Sequence, residues 1–166
     1  MGYFCIYNME QKLIAACVRQ DRSAQRKIYE KYSPRMFAIC LRYVGDRESA
    51  RDVMHDAFIT LFSKLGSYKG EGAFEGWARR VFITASLMHL RKKDVLKYAE
   101  DVQTHGNDMG YDPSVIDRMD AQSLRKIVSQ MPVGFRTVFN MYAIEGYTHS
   151  EIAKELDITE GGSRSQ

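Results

Sequence analysis

Proline, cysteine and long apolar runs are all scarce in this chain, and each scarcity excludes a class of protein. Three prolines and 12 glycines in 166 residues do not fit a collagen-like chain or a Pro/Gly-rich disordered one. The three cysteines, Cys5, Cys17 and Cys40, form no C-x-x-C pair and have no close histidine, which argues against a disulfide framework and a zinc finger. No apolar run approaches the ~20 residues of a membrane span. We therefore expect a soluble, cytoplasmic protein without membrane insertion.

Charge is plentiful, and it is unevenly distributed along the chain. The net charge is +3, but residues 79–97 carry six basic side chains against one acidic one, and residues 100–120 carry six acidic side chains against one basic one. A basic segment followed by an acidic one is typical of an element that faces nucleic acid and of a solvated linker after it. Charge alone leaves open that both segments are ordinary solvated faces.

Apolar residues three and four positions apart predict an all-α protein with almost no strand, beginning with the helices of the first half. A short helix is predicted over 13–18. A second helix is capped by Asp21 and interrupted at Pro34, and its continuation ends at Gly45. A further helix runs from its cap at Asp46 to Gly66, and a long helix covers 74–96. The helix after Asp46 has the clearest apolar stripe, formed by Ala50, Val53, Met54, Ala57, Phe58, Leu61 and Leu65. On the long helix, Trp77, Val81, Ala85 and Met88 share one side. The intervening segment 67–73 is predicted to be a flexible loop.

The second half is predicted to contain a helix-turn-helix. A helix around 124–128 is stopped by Pro132, and another over 135–142 ends at Gly146. Thr148 and Glu151 have the spacing of a capping box, and Thr159 caps a further helix that begins at Glu160. Two helices with a four-residue turn between them match the motif whose second helix enters the major groove. The pattern also fits a structural helical hairpin that reads no DNA.

The helix after Asp46 presents an acidic face opposite its apolar stripe, with Asp52, His55, Asp56 and Thr60. Such a face suits docking against a basic helical partner. The spacing of Asp52, His55 and Asp56 also admits a metal, but no further ligand is evident, so we predict neither a metal nor another cofactor. No Ser-His-Asp or Cys-His arrangement is indicated, and we do not expect an enzyme.

Two groups of segments, in this order, resemble RNA polymerase sigma factors of the extracytoplasmic-function (ECF) group of the sigma-70 family. The first-half segments are DRESARDVMHDAF (46–58) and FEGWARRV (74–81) running to LRKK (90–93). The second-half segments are MPVGFR (131–136), IEGYTHSEIA (144–153) and ITEGGSRSQ (158–166). The resemblance implies a factor that binds core RNA polymerase and directs promoter-specific transcription initiation. It also implies two helical domains joined by a linker, the second a tetrahelical, winged-helix-like helix-turn-helix.

Under this resemblance, residues 9–96 form region 2, which binds polymerase and melts the minus-ten element. Residues 97–115 form the acidic linker, and residues 116–166 form region 4, which reads the minus-thirty-five element. The implied contacts to the clamp of the largest polymerase subunit are Asp52, His55, Asp56 and Phe58. Those to minus-ten DNA are Tyr68, Lys69, Trp77, Arg79, Arg80, Thr84, Arg91, Lys92 and Lys93. Those to minus-thirty-five DNA are Thr148, Thr159, Ser163, Arg164 and Gln166, with His149 as a further phosphate contact.

The segments depart from the family pattern at a few positions. Arg51 and His55 replace an acid and a glutamine in the polymerase-binding motif, and Thr84 and Met88 replace an asparagine and an aspartate in the promoter-melting helix. The resemblance implies that the recognition helix continues beyond Gln166, so we expect a C-terminally truncated factor. Met9 is the expected start of the natural protein.

The resemblance further implies an anti-sigma factor as a partner, beside polymerase and promoter DNA. Two rival functions stay open on the sequence. One is a helical interaction module that binds polymerase or a regulator without reading DNA, and the other is a helix-turn-helix repressor.

Overall fold

The structure is a computed structural model that describes residues 2–92 and 121–166, and these residues contain helices but no strand. The predicted linker over 97–115 and the end of the long helix beyond Lys92 lie outside the described residues. The chain divides into two compact units, residues 1–89 and 90–166. The helices are α1 (Gly2–Val18), α2 (Arg22–Val44), α3 (Arg47–Lys64), α4 (Phe74–Lys92), α5 (Ala121–Gln130), α6 (Val133–Phe139), α7 (His149–Leu156) and α8 (Glu160–Ser165). None of the described helices is long and apolar enough to span a membrane.

Short polar caps set the helix boundaries of the first unit. The Asp21 carboxylate accepts a hydrogen bond from the Ala24 amide at 2.9 Å, and the Asp46 carboxylate accepts one from the Ser49 amide at 2.7 Å. Between α2 and α3, Gly45 adopts a left-handed conformation with φ of +84°, which costs glycine little because it has no Cβ. These three predicted boundaries are confirmed.

The expected interruption at Pro34 is wrong, because α2 runs through it from Arg22 to Val44. Pro34 removes one backbone donor from the helix and crowds the preceding turn. Its ring is exposed, however, while Tyr32 and Met36 on either side are buried on the same helix face. Burial of a continuous apolar stripe on both sides of the proline holds the helix together. Helix α1 likewise begins at Gly2, well before the expected residue 13.

An aromatic core joins α2, α3 and α4. The Phe58 ring lies 4.6 Å from the Tyr29 ring and 4.8 Å from the Phe82 ring, measured between centroids. The α3 stripe, which includes Phe58, is buried as the spacing predicts, and Phe82 is buried as well. On α4 the buried residues are Phe74, Ala78, Phe82, Ile83, Ser86, Leu87 and Leu90. The apolar side that the sequence indicated for α4 is therefore not its core face, since Met88 is 62% exposed.

A short 3₁₀ turn separates α3 from the loop that follows it. Helix α3 ends at Lys64, and a 3₁₀ turn over Leu65–Ser67 contains Gly66, which was expected to close the helix. Helix α1 packs against both α2 and this turn. The loop that follows contains Gly70 and Gly72, both with positive φ, so its course depends on glycine.

The second unit contains the predicted helix-turn-helix, α7 and α8. The capping box is confirmed: the Thr148 hydroxyl accepts from the Glu151 amide, and the Glu151 carboxylate accepts from the Thr148 amide at 2.8 Å. The helix predicted to end at Gly146 is instead two pieces, because α6 passes into a π-helical turn over Asn140–Ile144. The buried Arg136 side chain donates to the Ser129 carbonyl at 3.0 Å and links α6 to α5.

We predict that Asp46→Ala lowers the free energy of unfolding by about 1 kcal/mol, because the Ser49 amide loses its cap. Urea denaturation followed by circular dichroism measures the change. Asp52→Ala is the matched control, since Asp52 lies exposed in the middle of the same helix. Equal stability of the two variants would contradict a capping role for Asp46.

Candidate functional surfaces

One exposed face of α3 combines acidic, imidazole and apolar side chains. Asp52, His55, Asp56 and Ile59 are all exposed and follow one another at helix spacings of three, one and three residues. We call these four residues the acidic α3 face. His55 is held there by Tyr29, whose hydroxyl lies 3.2 Å from His55 Nε2. Ile59 is 70% exposed, so a large apolar side chain is accessible between the charged ones.

Phe58 does not belong to this surface, and its prediction as a polymerase contact is wrong. Its side chain is 3% exposed and packs against the rings of Tyr29, Phe62 and Phe82. Phe58 belongs to the buried α3 stripe, so it fixes the orientation of the acidic face without forming it. Ile59 is the surface residue that sequence reasoning missed. Ile59 lies four residues after His55 and outside the apolar stripe, and this position in the sequence could have predicted that it belongs to the acidic face.

An aromatic cluster lies where the 65–73 segment meets α4. The Tyr68 and Trp77 ring centroids are 5.4 Å apart, and Phe74 lies 5.5 Å from Tyr68 and 5.8 Å from Trp77. Trp77 and Tyr68 are half-buried, so each ring leaves part of its surface accessible, while Phe74 is 1% exposed. The Tyr68 hydroxyl donates to the Gly72 carbonyl at 2.8 Å and braces the loop. Lys69 beside it is exposed.

The outer face of α4 carries basic and uncharged residues in one row. Arg80, Thr84, Met88 and Arg91 are exposed and separated by four, four and three residues, so they share one side of the helix. We call this row the basic α4 face. Lys92 is also exposed, whereas Arg79 is half-buried and has an interaction partner. Lys93 lies outside the described residues.

The predicted minus-thirty-five residues fall into two groups in the second unit. Thr159, Arg164 and Gln166 belong to the short helix α8 or its cap, with Thr159 accepting from the Gly162 amide at 2.9 Å. Arg164 is exposed and pairs with Glu160 at 2.5 Å. Thr148 is exposed, but its amide and hydroxyl are both engaged with Glu151.

Ser163 is 1% exposed, so the prediction that it faces DNA is wrong. Its hydroxyl oxygen lies 2.9 Å from His149 Nδ1, and the His149 ring stacks on Tyr142 with centroids 4.4 Å apart. Ser163 and His149 thus connect α8 to the first turn of α7. Ser163 is buried against His149, which lies 14 residues earlier in the chain. No local sequence pattern indicates this contact.

Comparison with known proteins identifies the family to which this chain belongs. The family model for sigma-70 region 2 matches residues 28–95, and that for sigma-70, region 4 matches residues 121–166. The chain belongs to the sigma-70 family. Both regions occur in one chain and in the predicted order, and the relatives that match nearly the whole chain include ECF sigma factors, so the chain is a sigma factor of the ECF group that directs RNA polymerase to promoters. The family consists of transcription initiation factors, not enzymes.

Curated relatives match nearly the whole chain. RNA polymerase sigma-H factor of Pseudomonas aeruginosa is 27% identical over 95% of this chain and 87% of its own length. ECF RNA polymerase sigma-E factor of Haemophilus influenzae is 26% identical, covering 95% and 88%. ECF RNA polymerase sigma factor SigW of Bacillus subtilis is 26% identical, covering 92% and 88%. The solved structure of CnrH in complex with the cytosolic domain of CnrY shares the fold, with a TM-score of 0.50 and 14% identity over 94% of this chain and 88% of that one.

We predict that Ser163→Ala loosens helix α8 of this sigma factor. Loss of one buried hydrogen bond, ~1 kcal/mol, corresponds to about fivefold faster amide exchange in residues 160–166. Hydrogen–deuterium exchange with mass spectrometry measures the rate. Ser165→Ala is the matched control, because Ser165 is exposed on the same helix. Identical exchange in both variants would contradict the Ser163–His149 connection.

Proposed function

We propose that this sigma factor uses three separate surfaces. The acidic α3 face binds the clamp of the largest subunit of core RNA polymerase. The aromatic cluster and the basic α4 face capture and hold the opened minus-ten element, and helix α8 reads the minus-thirty-five element. The work takes place in the bacterial cytoplasm, where polymerase meets the chromosome.

Polymerase binding by α3 is supported by the exposure of Ile59 on the same face as the carboxylates of Asp52 and Asp56. Charge complementarity with a basic partner helix would set the register and the association rate, whereas an exposed apolar side chain gains free energy when a partner covers it. Neither Asp52 nor Asp56 takes part in the core, and both are exposed. Binding can therefore engage this face without rearranging the domain.

The half-buried Trp77 is the single observation that best supports promoter opening. Melting DNA without a nucleotide-driven motor requires the protein to hold unpaired bases, and aromatic rings stack on any base with a gain of about 1–3 kcal/mol. Trp77 and Tyr68 offer accessible ring surface next to the exposed Lys69. Arg80, Arg91 and Lys92 supply the positive charge that neutralises backbone phosphates, which positions DNA without specifying its sequence.

Recognition of the minus-thirty-five element is assigned to α8 because its exposed side chains have suitable chemistry. Arginine and glutamine read guanine and adenine edges through paired hydrogen bonds. The Arg164–Glu160 ion pair is exposed and contributes little to stability, so Arg164 is free to exchange it for a base edge. We also propose an anti-sigma factor as a protein partner of this chain, as implied by the family.

Transcription reconstituted from purified core polymerase tests the proposal as a whole. A sigma factor must confer initiation at particular promoters, and permanganate reactivity of unpaired thymines must appear around the minus-ten element. Binding to polymerase without promoter-dependent transcripts would favour the interaction module instead. DNA binding that needs no polymerase would favour a repressor.

We predict that the double variant Asp52→Lys/Asp56→Lys binds core polymerase at least about tenfold more weakly, because like charges then face the basic partner. Fluorescence anisotropy of the labelled sigma factor measures the dissociation constant. Helicity and the unfolding midpoint should stay close to those of the wild type, since neither side chain is buried.

Glu30→Lys, an exposed charge reversal on α2, is the control for this experiment. Ile59→Ala in the same assay isolates the apolar part of the surface and should weaken binding without reducing stability. Unchanged affinity in the folded double variant would exclude the acidic α3 face as the polymerase contact.

We predict that replacing Arg91, Lys92 and Lys93 by glutamine weakens holoenzyme binding to all promoters alike. Each lost phosphate contact should reduce the slope of log affinity against log salt by about 0.9. Filter binding over a salt series measures this slope. The control replaces Arg19, Arg22 and Lys27, which are exposed on another part of the first unit. Equal slopes in both triple variants would identify the cluster at the end of α4 as an ordinary solvated helix end.

A further inference from the structure

A carboxylate of the N-terminal helix is tied to the interior of the first unit. Glu10 on α1 accepts hydrogen bonds from the Tyr32 hydroxyl and from Lys31 Nζ, the latter at 2.6 Å. Partial burial raises the pKa of Glu10, but the two hydrogen bonds lower it, and the net pKa lies below its usual value. Glu10 is therefore ionised at neutral pH. It lies outside the stretch matched by the sigma-70 region 2 model, which begins at residue 28.

Tyr32 connects Glu10 to the aromatic cluster. Its ring is buried and meets the Phe74 ring edge-on, with centroids 5.4 Å apart. Phe74 in turn contacts both Tyr68 and Trp77. Two rings, Tyr32 and Phe74, thus connect the Glu10 carboxylate to the accessible rings of Tyr68 and Trp77. Of these rings, Tyr32 and Phe74 are buried, so they have little room to change orientation.

A second contact brings α1 to the same loop. The Gln11 side chain lies over Gly70, where an added Cβ would come within 3.9 Å of Gln11 Nε2. Helix α1 also packs on the 3₁₀ turn at the start of the loop. Two consecutive residues of α1 therefore point to the loop region: Glu10 is connected to it through the ring chain, and the Gln11 side chain lies near Gly70.

We propose that Glu10 is a positioning residue for promoter opening: by holding the Tyr32 hydroxyl, it fixes the ring chain that orients Tyr68 and Trp77 for capture of unpaired bases. The inference rests on the proposed role of the aromatic cluster in opening the minus-ten element. The reason is that an aromatic surface captures a base at lower cost when its rings are already ordered. A buried hydroxyl without its carboxylate partner would be unsatisfied, and the ring would shift to find another one.

Trp77 is the only tryptophan of the chain, so its fluorescence reports on the cluster directly. In the free protein, Glu10→Ala and Tyr32→Phe should both shift the emission maximum and raise acrylamide quenching. Lys31→Met removes the ion pair of Glu10 but keeps the Tyr32 hydroxyl, so it should resemble the wild type. Glu30→Ala is the matched control, since Glu30 is exposed and pairs with Arg26 on the surface.

Promoter opening by the reconstituted holoenzyme supplies the functional measurement. Glu10→Ala and Tyr32→Phe should open the minus-ten element about threefold to tenfold more slowly at unchanged polymerase affinity, the effect expected of one lost hydrogen bond of ordinary net strength. Tyr32→Phe keeps an apolar ring in the core and removes only the hydroxyl that Glu10 holds, so it decides the question if Glu10→Ala is poorly folded.

Three outcomes would overturn the positioning role: wild-type fluorescence in both variants, altered fluorescence with a wild-type opening rate, or an equal effect of Lys31→Met. Loss of polymerase affinity in Glu10→Ala would also overturn it, because α1 would then act in binding. A wild-type chain that opens no promoter contradicts the proposed function itself, a result distinct from a wild-type rate shared by all variants.

Discussion

The burial of one phenylalanine ring, Phe58, fixes the orientation of α3 and therefore of the acidic face that it presents. Phe58 contacts rings from α2, from its own helix and from α4, with centroids 4.6 to 6.0 Å apart. A helix has a single rotational phase, so once Phe58 is buried, Asp52, Asp56 and Ile59 must face outward. Phe82 has the same effect on α4, where its burial leaves the basic row exposed. Surface chemistry in this unit is thus a consequence of core packing.

The second unit relies more on polar contacts, because its helices are short. Helix α8 has six residues, too few to be stable alone, and it is held by the Thr159 cap and the Ser163–His149 contact. Gly162 fits this arrangement, since a Cβ there would come within 3.1 Å of the Thr159 hydroxyl. The glycine that lowers helix propensity also gives the capping hydroxyl room. Asp157 adopts the left-handed conformation at the turn, with φ of +56°, which aspartate tolerates better than most residues.

Sequence reasoning succeeded where structure is decided within a few residues. Asp21, Gly45 and Asp46 act through neighbouring amides or through their own backbone, so their roles are visible in the sequence. It failed where a distant partner decides, as with the continuous helix through Pro34 and the buried Ser163. Phe58 is an intermediate case. Its spacing correctly predicted that it is buried in the core, whereas the family motif led to its prediction as a polymerase contact.

The half-buried state of Trp77 suits the proposed capture of unpaired bases, which sets two opposing requirements. A fully buried ring could not stack on a base, whereas a fully exposed ring would have to be ordered at the moment of capture, at a cost in conformational entropy. Contacts with Tyr68 and with the buried Phe74 order one side of the ring and leave the other accessible. Phe74 can do this only because its own position is fixed by Tyr32 and the surrounding core. The capacity to hold an unpaired base would therefore depend on buried rings that never touch DNA.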